Sequence, residues 1–293
     1  MEMSTRTVTA NDVSFTLLEC GEGPLALCVH GFPDSAHTWR HLLPELAEAG
    51  YHAVAPFLRG CAPTAIPADG IFQLGAHAAD LNALHDVLGG DDTAVVVGHD
   101  LGAPAAVAAA ASDAARWQRV VTMAVPPGPA FATALVTDLD QLKRSWYTMF
   151  FQHPLADTVV ATDDFAFIDM LWADWSPGFT APDDVAHGKD TLRPDGHLSA
   201  ALGFYRAAFG DGPHTDAYDA IEAAAAGPLE QPTLHLHGSL DGCIGPMVAE
   251  LARTLSPWVE VEVLDGVGHF LHLERPAEIN ARILDHIVTG RRP

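Results

Sequence analysis

Short runs of Val, Leu and Ala alternate with amphipathic stretches at both ends of this chain, and the middle breaks the alternation. Buried parallel strands read as continuous apolar runs, and helices as runs with a 3.6-residue period. A regular exchange between the two implies a parallel sheet covered by helices on both faces. Predicted strands fall at 13–18, 25–29, 51–55, 93–97 and 119–125, with helices at 36–49, 72–88 and 101–111. After Gly227-Pro228 the pattern resumes, with strands at 233–236 and 259–264 and helices at 246–255 and 276–288. Between about 129 and 227 no strand is predicted, only helices at 139–151, 165–175, 182–191 and 198–209, in a segment rich in Trp and Phe. The expected architecture is a doubly wound, mostly parallel α/β sheet built from 1–128 and 228–293, with an all-helical insertion at 129–227. That insertion leaves from the carboxyl end of a parallel strand, the edge where open α/β sheets bind ligands.

Charge narrows the function classes. Lys and Arg number 15 against 38 Asp and Glu, a net charge of −23. Such a surface repels a phosphate backbone or an anionic membrane, so neither nucleic acid nor membrane is expected as a partner. A local cationic site could still hold an anionic substrate. Hydrophobic residues at 48% supply a sizeable core and argue against disorder. Cys20, Cys28, Cys61 and Cys243 form no CxxC pair and no zinc spacing, which suits free thiols in a reduced cytoplasm. The first residues, MEMSTRTVTANDVS, lack the apolar stretch of a signal peptide. The most lipophilic stretch, 103–111, falls short of the ~18 apolar residues of a membrane span.

Three loops carry chemistry. Val97-Gly98-His99-Asp100-Leu101-Gly102-Ala103 follows a predicted buried strand and opens a helix. Small residues around one reactive side chain in that context form a nucleophile elbow. Here the reactive position holds Asp100, and a carboxylate can attack carbon and form an ester without a general base. Alone, the residue could equally be a helix N-cap. His30-Gly31-Phe32-Pro33 follows an earlier strand. After the helical segment come Asp241, in His237-Gly238-Ser239-Leu240-Asp241, and His269, in Gly266-Val267-Gly268-His269-Phe270. With 16 histidines in the chain a lone His says little, but His269 sits in a Gly-rich loop behind two acids in order. His235 and His237 share one face of a strand without a third ligand at matching spacing, and are read as structural. No nucleotide, flavin or metal motif appears, so no cofactor is expected.

Together these motifs resemble the α/β-hydrolase superfamily, and within it the aspartate-nucleophile branch of the soluble epoxide hydrolases, over almost the whole chain. The resemblance implies Asp100 as nucleophile, His269 as general base and Asp241 as the acid that orients it. It implies an oxyanion hole from the backbone N–H groups of Phe32 and Leu101, in a loop with a cis Phe32-Pro33 bond. It also implies two cap tyrosines that protonate the epoxide oxygen. Ser145-Trp146-Tyr147-Thr148-Met149-Phe150-Phe151-Gln152-His153-Pro154 and Gly203-Phe204-Tyr205-Arg206 match the two motifs, which selects Tyr147 and Tyr205 from only four tyrosines. Phe32, Trp39, Leu101, Trp146 and Phe270 are the expected pocket lining, for a small apolar epoxide that reacts with water. The sequence leaves monomer or homodimer open.

Two positions depart from the pattern. Leu101 stands where many relatives have Trp, and Pro56-Phe57-Leu58-Arg59-Gly60 lacks the frequent Asp before Arg-Gly. The nearest alternative activity is haloalkane or haloacetate dehalogenation on the same Asp-His-Asp triad. Leu101 offers no side-chain N–H to a halide, 101–111 holds no Arg, and the cap pair is Trp146-Tyr147 rather than His-Trp. Trp39 could still serve a halide. A non-catalytic binder on this fold is a third reading, and one with no need for a complete triad.

Overall fold

A computed structural model describes residues 3–289 of the protein. Eight strands form one sheet: β1 Ser4–Ala10, β2 Val13–Cys20, β3 Leu25–Val29, β4 His52–Pro56, β5 Val95–His99, β6 Arg119–Met123, β7 Thr233–Gly238 and β8 Val259–Leu264. Their order is β1-β2-β4-β3-β5-β6-β7-β8, with antiparallel pairs at β1-β2 and β2-β4 and parallel pairs from β4 onward. Every residue of β3 and β5 is buried, as their unbroken apolar runs require. Successive residues face opposite layers: Leu25, Leu27 and Val29 join one core, Ala26 and Cys28 the other.

The core helices are a 3-10 turn at Ala36–His41 running into α1 Leu42–Glu48, then α2 Leu74–Val87 and α3 Gly102–Ser112. Between β6 and β7 come α4 Ala130–Thr137, α5 Leu139–Arg144, α6 Trp146–Phe150, α7 Ala156–Trp175, α8 Pro182–Leu192, α9 His197–Phe209 and α10 Asp219–Ala225, and among the described residues no strand interrupts them. The chain closes with α11 Pro246–Leu255, α12 Leu271–Glu274, α13 Pro276–Leu284 and a π-helical turn at Asp285–Thr289.

Several expected elements differ in extent. Strand β1 has no counterpart among the predicted strands, because it is a largely exposed edge strand of Ser, Thr and Val without an apolar rhythm. Its signal lay in the β-branched residues and in Asn11-Asp12, whose φ angles of 45° and 59° make the two-residue hairpin turn. The helix expected at 36–49 is two pieces. Pro44 has no N–H to donate back one turn and tolerates only the start of a new helix. The helix at 139–151 breaks at Ser145, whose φ of −87° and ψ of 10° are not helical. Helix α7 starts well before 165, but leaves helical geometry from Thr162 to Phe165, so the predicted start coincides with a kink. Finally, α10 packs on α2 and α3, and Glu222 accepts hydrogen bonds from Gln73 and the Gly75 amide. The end of the 129–227 segment thus returns to the core.

Candidate active site

The tightest turn in the site joins β5 to α3. Asp100 occupies it at φ 50°, a left-handed backbone that Asp tolerates better than bulky residues. The residues two before and two after it must be glycine for steric reasons. A Cβ at Gly98 would collide with the Gly102 carbonyl, and one at Gly102 with the Val29 carbonyl. The turn thrusts the Asp100 carboxylate, 5% exposed, toward a cavity at the first turn of α3.

The loop after β3 covers that carboxylate. The Phe32 N–H donates to Asp100 Oδ1 at 2.9 Å, and the Phe32-Pro33 peptide is cis. Gly31 permits the approach, since a Cβ there would meet both Asp100 Oδ1 and the Leu101 nitrogen. His30 ties this loop to the loop after β4 by accepting from the Leu58 N–H at 3.1 Å.

The loop after β8 brings in His269. Its N–H donates to the Trp175 carbonyl at 3.1 Å, so the end of α7 holds the base in place. Nδ1 lies 3.0 Å from Asp241 Oδ2 and Nε2 lies 3.5 Å from Asp100 Oδ2. The other oxygen of Asp241 accepts from the amides of Cys243 and Ile244 at 2.8 and 2.9 Å, which aims the acid from the loop after β7. All three side chains are buried. Burial alone would lower the imidazole's proton affinity, but Asp241 and then Asp100 outweigh it and hold His269 up at about 10. Burial likewise pushes the Asp100 carboxyl upward, and the His269 imidazolium beside it more than reverses this, leaving Asp100 below the ordinary carboxylate range. The resting pair is an imidazolium beside a carboxylate.

Helices α6 and α9 supply Tyr147 and Tyr205, whose rings meet edge to face at 5.8 Å. Both line the cavity together with Asp100. Burial, reinforced by the neighbouring Cys243 thiol and Asp100 carboxylate, raises both phenols well above their usual value, so both are proton donors at neutral pH. The cavity encloses about 250 Å³, and its remaining wall is mostly apolar: Leu74, Val107, Val125, Phe131, Phe204 and Ile244.

Of the expected site residues, Asp100, Leu101, Tyr147 and Tyr205 line the cavity, while His269 touches Asp100, Asp241 touches His269, and the Phe32 amide holds Asp100 Oδ1. The expected lining fares differently. Leu101 lies on the cavity, and Phe32 backs Tyr205 and Phe151 from a recess beside it. Trp39 is not on the cavity: it is fully buried in the opposite core layer, stacked on His272. Trp146 projects outward, 44% exposed, against Phe150 and Phe167. Phe270 stacks on Trp172 at 3.5 Å behind His269. Helix α6 does reach the cavity, through Tyr147 and Thr148, but the segments that carry Trp39 and Phe270 contribute no residue to it. His99 faces away too, with Nε2 3.0 Å from the His269 carbonyl. His235 and His237 form a hydrogen-bonded chain from Thr122 to the Ile244 carbonyl. Sequence reasoning passed over Cys243, whose sulfur lies 3.3 Å from the Tyr147 hydroxyl. Its one signal was its place two residues after Asp241.

The α/β hydrolase fold family matches residues 24–276. An epoxide hydrolase from Caballeronia sordidicola is 30% identical over 96% of this chain and 93% of its own. Epoxide hydrolase A from Mycobacterium tuberculosis is 30% identical over 96% of each chain. Among solved structures, epoxide hydrolase A from Mycobacterium thermoresistibile superposes with a TM-score of 0.80 at 27% identity, covering 99% of both chains. With that agreement of sequence, fold and site, the chain belongs to the α/β-hydrolase fold family and, within it, to the epoxide hydrolases.

Proposed function

We propose that the protein hydrolyses an apolar epoxide to a vicinal diol through an ester on Asp100. The observation that carries this reading is the pair of buried phenols facing Asp100 across a mostly apolar cavity. An epoxide bound there has a carbon within reach of the carboxylate and an oxygen that needs a proton. Asp100 attacks the carbon, the C–O bond breaks, and Tyr147 and Tyr205 donate to the developing alkoxide, a contribution that belongs to the transition state.

The ester then controls the base. Esterified Asp100 carries no charge, so His269 loses one of the two carboxylates that raise its proton affinity. It can then release its Nε2 proton, which by way of solvent restores the phenol that protonated the alkoxide, and take another from a water molecule. The hydroxide adds to the ester carbonyl, and the amides of Phe32 and Leu101 stabilise the oxyanion. Collapse expels the diol and restores Asp100, while Asp241 supports the imidazolium throughout. The helical segment 129–227 acts as the cap, contributing Tyr147 and Tyr205, with α10 anchoring its end to the core. Water and one small epoxide suffice as reactants. No described helix is long and apolar enough to cross a membrane, and the four unpaired, buried cysteines suit a reducing cytoplasm. A dehalogenase reading loses its candidate halide donor, because Trp39 lies in the far core layer.

A single turnover with enzyme in excess, in water enriched in oxygen-18, tests the mechanism. The ester route leaves the first diol unlabelled and puts the label in the peptide containing Asp100. Labelled diol with unlabelled protein would mean that water attacks the ring directly.

A further inference from the structure

Cys243 has no part in the reaction above, yet it sits against it. Its sulfur, a carboxylate oxygen of Asp100 and a ring nitrogen of His269 all lie within 4.8 Å of one another, and all three residues are buried. His269 Nε2 has no hydrogen-bond partner. The loop that carries the sulfur is pinned, since the Cys243 amide donates to Asp241 Oδ1 and its carbonyl accepts from Gln141 at 3.0 Å.

We propose that Asp100, Cys243 and His269 form a site for a soft divalent cation of the Zn²⁺ class, which shuts off the enzyme when it binds. One thiolate, one imidazole and one carboxylate are the donor types Zn²⁺ prefers. Bond lengths of about 2.3 Å to sulfur and about 2.0–2.2 Å to nitrogen and oxygen set tetrahedral ligand separations near 3–4 Å, so the three atoms need only draw together slightly. The fourth position opens toward the cavity that Asp100 and Tyr147 line, where water completes the tetrahedron. Mg²⁺ and Ca²⁺ are poor candidates because they take oxygen ligands in larger number. On binding, the Cys243 thiol and the His269 imidazolium each give a proton to solvent, and the Tyr147 contact is replaced by the metal–sulfur bond. Asp100 can then no longer attack carbon, and the basic nitrogen of His269 is occupied. The shut-off rests on the function proposed above, but the metal site itself does not.

A second buried group, Asp34, His99 and His272, contains no sulfur and has no side chain on the cavity. Cobalt separates the two. Co²⁺ bound to a thiolate gives a near-ultraviolet charge-transfer band, and no other described cysteine belongs to such a group. Titration of the intact chain with Co²⁺ should give one equivalent carrying that band, lost in Cys243→Ala and weakened in His269→Gln. Zn²⁺ should remove the band and inhibit epoxide hydrolysis reversibly to chelator. Relative to each protein's own metal-free rate, Cys243→Ala should need about tenfold or more Zn²⁺. Should Cys243→Ala fail to fold by circular dichroism, Cys243→Ser carries the same comparison. No thiolate band, a band that survives loss of Cys243, or equal Zn²⁺ sensitivity in the variant would overturn the site. The band is read without substrate, so a protein that shows it but opens no epoxide keeps the site and loses the activity.

Discussion

His269 Nε2 lies 3.5 Å from Asp100 Oδ2, an imidazolium and a carboxylate that are both buried. Each sets the other's proton affinity, and the chemistry uses that coupling. Forming the ester on Asp100 cancels one of the charges that keep His269 protonated. Asp100→Asn imitates the esterified state, so the His269 proton affinity should fall in that variant. An NMR titration of the His269 ring reads it, and an unchanged or higher value would refute the coupling.

The same contact makes stability depend on pH. His269 is raised from 6.5 to about 10 in the folded chain. A raised imidazole contributes stability that is fully present below its unfolded value near 6.5 and is lost as pH climbs through about 10. The difference in unfolding free energy between the native chain and His269→Gln should therefore shrink between those limits. A difference that stays flat or grows over that range contradicts the assignment.

Removing one phenol deletes a hydrogen bond made mainly in the transition state. Tyr147→Phe and Tyr205→Phe should each slow ester formation, by about 10²-fold on the scale of general-acid catalysis, and the double change should nearly abolish it. Stopped-flow measurement of the first turnover separates this from ester hydrolysis. Full activity in the double variant would mean that another group protonates the oxygen.

Base and acid act on the second half-reaction. With His269→Gln, Asp100 can still attack but water is not activated, so intact mass should show the protein plus substrate. Asp241→Asn leaves the imidazolium unsupported and should slow the same step by about 10²–10⁴-fold. Rapid multiple turnover by His269→Gln would transfer the role of base to another histidine.

Away from the site, Arg59 is fully buried and meets both oxygens of Asp80 at 2.6 Å. The loop lacks the acid that often precedes this arginine in relatives, and Asp80 on α2 supplies the countercharge. Asp80→Ala leaves a buried guanidinium without its partner and should cost about 3–5 kcal/mol. Urea unfolding measures it, and a loss under about 1 kcal/mol, the value of an exposed pair, would show the charge reaching solvent.

Local chemistry made much of this legible from residues alone. The elbow around Asp100 announces itself because only Gly at 98 and 102 fits beside the neighbouring carbonyls. Strands β3 and β5 announce themselves because a strand buried on both faces reads as an apolar run, broken in β5 only at its end by His99. Strand β1 did not, because an exposed edge strand has no apolar rhythm. Trp39 and Phe270 were misplaced as lining because their segments do not reach the cavity, and Trp146 because a helix has several faces. Which face meets the cavity depends on packing against elements far away in the chain.

By itself the sequence determined the alternation of strands and helices, the loops that end in Asp100, Asp241 and His269, and the two tyrosine-bearing helices. These follow from hydrophobic period, backbone sterics and side-chain chemistry within a few residues. Tertiary structure alone decided the contacts that make the loops a site. Asp241 and His269 are 28 residues apart and meet at 3.0 Å because β7 and β8 pair in parallel and end side by side. The approach of Cys243 to Tyr147 spans 96 residues and joins core to cap. Such contacts arise from the packing of whole layers, where the position of one sulfur depends on every side chain beneath it.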